Sequence, residues 1–232
     1  MGPQTLLVDA DDTLWENNIY FERAIAEFIS YLDHQAHSRE QVRECLNACE
    51  TESIRAVGYG LHSFERSLVR CFEELTEGPM TTGRQEEIRS FAQSIAEQEI
   101  ELLPDVEETL ASLAQRHQLL LVTKGHPLEQ IDKLERSGLR RWFTEVEVLQ
   151  EKDEGQYRAL LEKHRLDAAT SWMVGNSPKS DINPALAAGL HAVFVPHRHT
   201  WVLEHTELAI AIPPQKLVQA ERFADLKRIF AG

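Results

Sequence analysis

The chain has 232 residues, with 38 acidic against 24 basic side chains and a formal net charge of −14. That length holds one large domain, or one domain with a smaller one inserted. The acidic balance argues against nucleic acid or an anionic membrane surface as the main partner, since both require a basic face. It leaves small anionic substrates open, because local field and bound metal govern those. No basic segment followed by an apolar core opens the chain, and Leu6 breaks the myristoylation pattern after Gly2. No apolar run approaches the ~20 residues of a membrane span, so a cytoplasmic location is expected.

The first element is a short apolar run, Leu6 to Val8, which reads as a buried strand. It ends in Asp9, with Asp11 and Asp12 directly behind it. Three acids in four residues repel one another, and a bound cation is the simplest way to hold them together. From about residue 18 to residue 100 the pattern is helical. Ile19, Ile25, Phe28, Ile29 and Leu32 recur at helix spacing. Ser38 and Gln41 form a capping box for a second helix bearing Val42, Cys45, Leu46 and Cys49. A third helix carries Phe64, Leu68, Phe72 and Leu75, and a fourth is expected from Thr82 to Glu101. Cys45 and Cys49 stand four apart, but no third or fourth metal ligand is evident. The three cysteines, Cys71 included, therefore read as small buried hydrophobes in a reducing compartment.

After Pro104 strands and helices alternate. Helix Val106 to Gln115 precedes strand Leu119 to Val122, and helix Leu128 to Ser137 ends at Gly138. Strand Val146 to Leu149 and helix Asp153 to His164 follow, then strand Ser171 to Val174, helix Pro178 to Ala188 and strand His191 to Val195. The stretch after Thr206, with Leu208 to Ile212 and a helix ending near Phe230, completes the sheet or packs elsewhere. This alternation predicts a doubly wound parallel α/β sheet, with the helical module inserted after its first strand.

Ligands bind such sheets at the carboxyl ends of the strands. There the sequence delivers Asp9 and Asp11, then Thr123, Lys124 and Gly125, then Glu151, Lys152 and Asp153, then Gly175, Asn176 and Ser177 with Asp181 one turn on. In its order and spacing this set resembles the four motifs of the haloacid dehalogenase-like superfamily, whose members are mostly phosphatases. Asp9-Ala10-Asp11-Asp12-Thr13 matches the first motif, Thr123 the second, Lys152 the third and Gly175 to Asp181 the fourth.

The resemblance implies a Rossmann-like core from residues 1–16 and 102–232, with residues 17–101 as a helical cap. It implies a Mg²⁺-dependent phosphatase in which Asp9 attacks phosphorus and forms an aspartyl-phosphate. Asp11 would protonate the leaving oxygen and then deprotonate water, which requires it protonated while Asp9 is ionised. Thr123 would bind the phosphoryl group and Lys152 would offset negative charge. Asp9, the Asp11 carbonyl, Asn176 and Asp181 would supply metal oxygens. The fourth motif departs from the common pattern, since Asn176 stands where an aspartate is usual; that leaves open whether Asn176 or Asp181 ligates directly.

Lys124, Gly125 and Trp15 are further candidates for substrate contact. His197 and His199 read as a peripheral surface turn, and Asp12 as a loop residue. The expected substrate is a small phosphorylated metabolite. A phosphosugar mutase and a non-catalytic binding protein on the same fold are the alternatives.

Overall fold

The computed structural model describes residues 2–32 and 36–231. The chain folds as two compact units, Met1–Asn18 with Ile100–Gly232, and Ile19–Glu99. Among the described residues, no helix is long and apolar enough to cross a membrane.

The first unit is built on a six-stranded sheet. Its strands are β1 (Thr5–Val8), β2 (Gln118–Lys124), β3 (Glu145–Leu149), β4 (Ser171–Gly175), β5 (His191–Phe194) and β6 (Leu217–Gln219). Their order is β3-β2-β1-β4-β5-β6, and every pairing is parallel. Side chains alternate across a strand, so Leu6 and Val8 join one core layer with Leu110, Phe223 and Phe230. Leu7 joins the other with Tyr157, Leu160 and Ala185. Both faces of β1 are thus apolar and buried, as a central parallel strand requires.

Of the two expectations for the C-terminal stretch, it completes the sheet, though not through its first apolar run. Leu208 to Ile212 forms no strand, and Pro213 and Pro214 behind it lack the N–H groups a ladder needs. The edge is instead completed by β6, whose Val218 pairs with Val193.

Four helices precede β2 in the insertion: α1 (Asn18–Tyr31), α2 (Arg39–Val57), α3 (Leu61–Leu75) and α4 (Thr82–Ala96). The Ser38 box is present: Ser38 Oγ accepts from Gln41 N at 3.3 Å, and Gln41 Oε1 accepts from Ser38 N at 2.8 Å. Phe28, Leu46, Leu68 and Ile88 form the core of this unit. The fourth helix stops at Ala96 rather than Glu101, because the backbone beyond it pairs elsewhere. Trp15 bridges Leu102, Glu16 N donates to Glu101 O, and Leu103 N donates to Leu14 O. The remaining helices are α5 (Val106–Leu113), α6 (Pro127–Arg136), α7 (Glu154–His164), α8 (Asn183–Ala187) and α9 (Leu226–Ile229).

The helix expected from Pro178 begins as a wide π turn, Pro178–Ile182, before α8. Ile182 N reaches back five residues to Ser177 O, and Asp181 N shares that acceptor. The widening turns Asp181 toward the strand end, where its Oδ2 accepts from Ser177 N at 2.9 Å.

Candidate active site

Asp9 leaves the carboxyl end of β1 and is nearly buried. Its Oδ1 meets Lys152 Nζ at 2.5 Å, and its Oδ2 accepts from Thr13 Oγ1 at 2.9 Å. Lys152 stands on the loop after β3, and its side chain is 1% exposed. Its ammonium also meets Asp181 Oδ1 at 2.7 Å. Burial alone would lower the Lys152 pKa, but Asp181 and Asp9 more than reverse this, so the lysine holds its proton more firmly than usual. Asp181 is pushed up to about 7, first by burial and then by Asp9, against the pull of Lys152. A buried cation between two buried acids is thus the centre of the arrangement. With Lys152 on Oδ1 and Ser177 N on Oδ2, both oxygens of Asp181 are engaged.

Asn176 occupies the other side. Its Oδ1 lies 3.4 Å from Thr13 Oγ1, the hydroxyl that also binds Asp9, and its Nδ2 donates to Thr200 Oγ1 at 2.9 Å. The Thr200 contact points the amide oxygen, rather than the nitrogen, toward Thr13. Carboxylate and amide oxygens are a hard donor set, which fits Mg²⁺ better than a thiophilic ion. The missing Cβ of Gly175 is explained here: a Cβ would stand 2.8 Å from Asp181 Cβ and closer still to its carboxylate.

Asp11 is held by three groups. Lys133 Nζ meets Oδ1 at 2.6 Å, Trp15 Nε1 donates to Oδ1 at 2.7 Å, and Gln130 Nε2 donates to Oδ2 at 2.9 Å. Burial raises its pKa, but Lys133, Gln130 and Trp15 outweigh burial and leave it below the ordinary value. The expectation that Asp11 is protonated therefore fails in this arrangement, because an ammonium ion lies against it.

Three further readings are corrected. Trp15 is fully buried in the sheet core; its indole N–H orients Asp11. Lys124 is spent inward, meeting Glu204 Oε1 at 2.6 Å and Ser180 Oγ at 2.8 Å. The Gly125 N–H, which an anion would need, donates to Leu149 O at 3.2 Å. At φ +146° the glycine also leaves room for Gln130, whose Nε2 would lie 2.8 Å from a Cβ. Thr123 is buried near the end of β2, paired in register with Val148.

Asp12 is more than a loop residue. It has φ 59° and its Oδ1 accepts from the N–H groups of Asn17 and Asn18, capping the start of α1. Burial pushes its pKa up to about 7 against those hydrogen bonds. The His197 turn is also less peripheral than expected. His197 Nε2 lies 3.2 Å from Glu16 Oε2, and Nδ1 lies 3.6 Å from Asp12 Oδ1. Burial lowers the His197 pKa, and Glu16 opposes it.

Sequence reasoning missed Gln130, Lys133 and Glu204. Lys133 sits in the last turn of α6, where a lysine is ordinary, and Glu204 lies 80 residues from Lys124. No spacing rule connects them.

A profile of haloacid dehalogenase-like hydrolases matches residues 3–189. The chain is similar in structure to a haloacid dehalogenase-like family hydrolase from Xanthomonas campestris, at 27% identity and TM-score 0.83, covering 98% of this chain and 94% of that one. It shares its fold with the HAD-hydrolase YfnB from Bacillus subtilis, solved bound to magnesium, at 19% identity, TM-score 0.66 and full coverage of both (100% each). It also shares it with L-2-haloacid dehalogenase from Xanthobacter autotrophicus, at 16% identity, TM-score 0.68 and 99% coverage of both. Among curated proteins, none matches the chain.

Proposed function

Because the chain belongs to the haloacid dehalogenase-like hydrolases, we propose that it hydrolyses a small phosphomonoester metabolite through an aspartyl-phosphate on Asp9. The observation that carries this reading is Asp11, held two residues beyond Asp9 by Lys133, Gln130 and Trp15. An alkoxide leaving group needs a proton and a phosphoenzyme needs an activated water, so a second carboxyl group is useful for both halves of the reaction. A halide leaving group needs no proton.

Asp9 attacks phosphorus in line and displaces the ester oxygen. Lys152, firmly protonated, balances the charge of Asp9 and of the phosphoryl oxygens. Asp181 orients Lys152. Asp11, as the carboxylate favoured by Lys133, is ready to take a proton from water in the second half. In the first half, the negative charge of an arriving phosphoryl group raises its affinity for a proton. Thr123 is assigned to the phosphoryl oxygens. Asp9, the Asp11 carbonyl and Asn176 would hold Mg²⁺, which when bound supplies positive charge to the phosphoryl group. Asp181 has no uncommitted oxygen, so this reading gives the far side of the metal to Asn176.

The test is release of phosphate from an aryl phosphate and a panel of phosphorylated metabolites, with and without Mg²⁺. The wild type should turn over at least one of them only with Mg²⁺. Asp9→Asn should be inactive on all, while Asp11→Asn should be slowed by ~10²–10⁴-fold. Activity surviving Asp9→Asn would overturn the mechanism. Release of halide from an L-2-haloacid in place of phosphate would overturn the substrate class, and stoichiometric isomerisation of a sugar phosphate would indicate a mutase.

A further inference from the structure

The cysteines of the helical unit pack in its hydrophobic core, as their sequence positions imply, and they also lie side by side. Cys45 and Cys49 are four residues apart on α2, and Cys71 and Glu74 are three apart on α3, so each pair shares one helix face. The two faces meet. Cys45 Sγ lies 3.5 Å from Glu74 Oε2, and Cys49 Sγ lies 3.8 Å from Glu74 Oε1. The ligand atoms of Cys45, Cys49 and Glu74 all lie within 4.8 Å of one another. Cys71 is fully buried on the same seam; its Sγ contacts Val42 O of α2 at 3.8 Å, and its thiol interacts with those of Cys45 and Cys49.

We propose that Cys45, Cys49, Cys71 and Glu74 form a binding site for a thiophilic divalent cation, with Zn²⁺ the ion they fit best. A tetrahedral zinc with Zn–S of ~2.3 Å and Zn–O of ~2.1 Å requires S···O edges of about 3.6 Å. Each sulfur already lies near that distance from one of the two Glu74 oxygens, so a turn of the exposed carboxylate brings a single oxygen to both. All three cysteines are free of disulfides. The site also has an inner and an outer side: Cys49 and Cys71 are buried, Cys45 is half-buried, and the Glu74 side chain is 52% exposed. An ion can thus enter at Glu74 and seat against the inner sulfurs.

On binding, each thiol gives its proton to solvent, forming three Zn–S bonds and one Zn–O bond with no change in oxidation state. Three thiolates and a carboxylate outweigh the charge of Zn²⁺. The excess falls beside Arg70, whose Nη2 lies 3.6 Å from Glu74 Oε1 and 2.5 Å from Glu52 Oε2. In the metal-free state burial keeps the thiols protonated, with Cys49 pushed up to about 12 and Cys71 higher still. The metal clips α2 to α3.

The experiment is titration of the reduced, metal-free full chain with Co²⁺, followed by Zn²⁺. One equivalent of Co²⁺ should give a near-ultraviolet thiolate-to-cobalt charge-transfer band and the intense visible bands of a tetrahedral ion. Stoichiometric Zn²⁺ should erase both and raise the thermal midpoint. Cys49→Ser and Cys71→Ser should each weaken Zn²⁺ by more than ~100-fold, beyond the ~10–100-fold typical of losing an outer-shell partner. These two positions are in the core, so helical content by circular dichroism is recorded with each variant. Half-buried Cys45→Ala serves where they fail to fold, and it should lose the same affinity. Glu74→Gln should weaken Zn²⁺ while keeping the charge-transfer band. Asp9→Asn should change none of these readouts, which separates this site from the proposed Mg²⁺ centre. Absence of the charge-transfer band in the folded wild type, or unchanged Zn²⁺ affinity in Cys45→Ala, would overturn the proposal.

Discussion

Replacing Glu204 by leucine should destabilise the sheet unit by about 3–5 kcal/mol at pH 7, the usual cost of breaking a buried ion pair from one side. Glu204 ends a 3₁₀ turn, Val202–Glu204, and is 6% exposed. Its Oε1 takes Lys124 Nζ at 2.6 Å, and its Oε2 takes Ser177 Oγ at 2.6 Å and Ser180 Oγ at 2.5 Å. It therefore ties the end of β2 to the turn that carries Asn176 and Asp181. With the carboxylate gone, the Lys124 side chain, 14% exposed, keeps Glu151 at 3.3 Å as its acidic partner. Glu151 is 49% exposed, and such a pair contributes at most about 1 kcal/mol.

Hydrogen bonds from each serine to a charged acceptor contribute ~1.5–3 kcal/mol. Part of that loss is offset because Ser177 Oγ still accepts from Ser180 N and Ser180 Oγ still accepts from Lys124. The double variant Glu204→Leu/Lys124→Met leaves no unpaired buried charge and should recover part of the single-variant loss, the remainder being the Ser177 and Ser180 hydroxyls left without their acceptor. Urea unfolding of wild type, both single variants and the double variant gives the coupling energy directly. Lys124, Ser177 and Ser180 outweigh burial and hold the Glu204 pKa below the usual carboxylate value. A depressed pKa contributes stability above the unfolded value of 4.5 that is lost as pH falls through the folded value. The gap between Glu204→Leu and wild type should therefore be full at pH 7 and shrink below about pH 4.5. A single-variant loss under 1 kcal/mol, or strictly additive singles, would refute the argument.

Gly175→Ala places a methyl group 2.8 Å from Asp181 Cβ and nearer still to the carboxylate, which must move off Lys152. The expected result is a folded protein with the proposed phosphatase activity reduced by at least tenfold; wild-type turnover in purified Gly175→Ala would count against the Asp181–Lys152 assignment. His117 accepts from Gln4 N through Nδ1 at 3.1 Å and donates to Phe230 O through Nε2, so the neutral ring is the one that fits. Burial lowers its pKa from 6.5, so the unfolded chain binds the proton more readily and stability falls as pH drops below about 6.5. Urea midpoints at pH 7.5 and 5.5 should show this fall in wild type and a smaller one in His117→Gln.

The fold was readable because its signals are local. Apolar runs such as Leu119 to Val122, breakers such as Gly138, and the Ser38 box each name an element without knowledge of its neighbours. Failures came where a distant partner decides the outcome. Helix α4 stops early because residues 101–103 pair with Leu14 to Glu16. In the candidate site, the residues on strand ends were found because a parallel sheet gathers them at one edge. The direction in which each side chain points was not legible. Lys124 and Trp15 carry suitable chemistry, yet one turns to Glu204 and the other into the core. The same limit hid Cys71 and Glu74, which stand beside Cys45 and Cys49 only through the packing of α3 on α2.

The placing of β1 at the centre of the sheet has a consequence for how the chain folds. Its neighbour β2 begins more than a hundred residues later, with Thr5 opposite Gln118 and Gln4 bound to His117 across a separation of 113. The nucleus of the sheet must therefore wait for an entropically expensive closure. Each halving of the effective loop lowers that cost by ~0.6 kcal/mol. The segment between them, Ile19–Glu99, is a compact unit in its own right. If it condenses first, it shortens the loop by about two halvings and makes closure cheaper by ~1 kcal/mol. The insertion then acts as a kinetic aid to the strand that carries Asp9, and mutations that loosen Phe28, Leu46 or Leu68 should slow formation of a sheet they do not belong to.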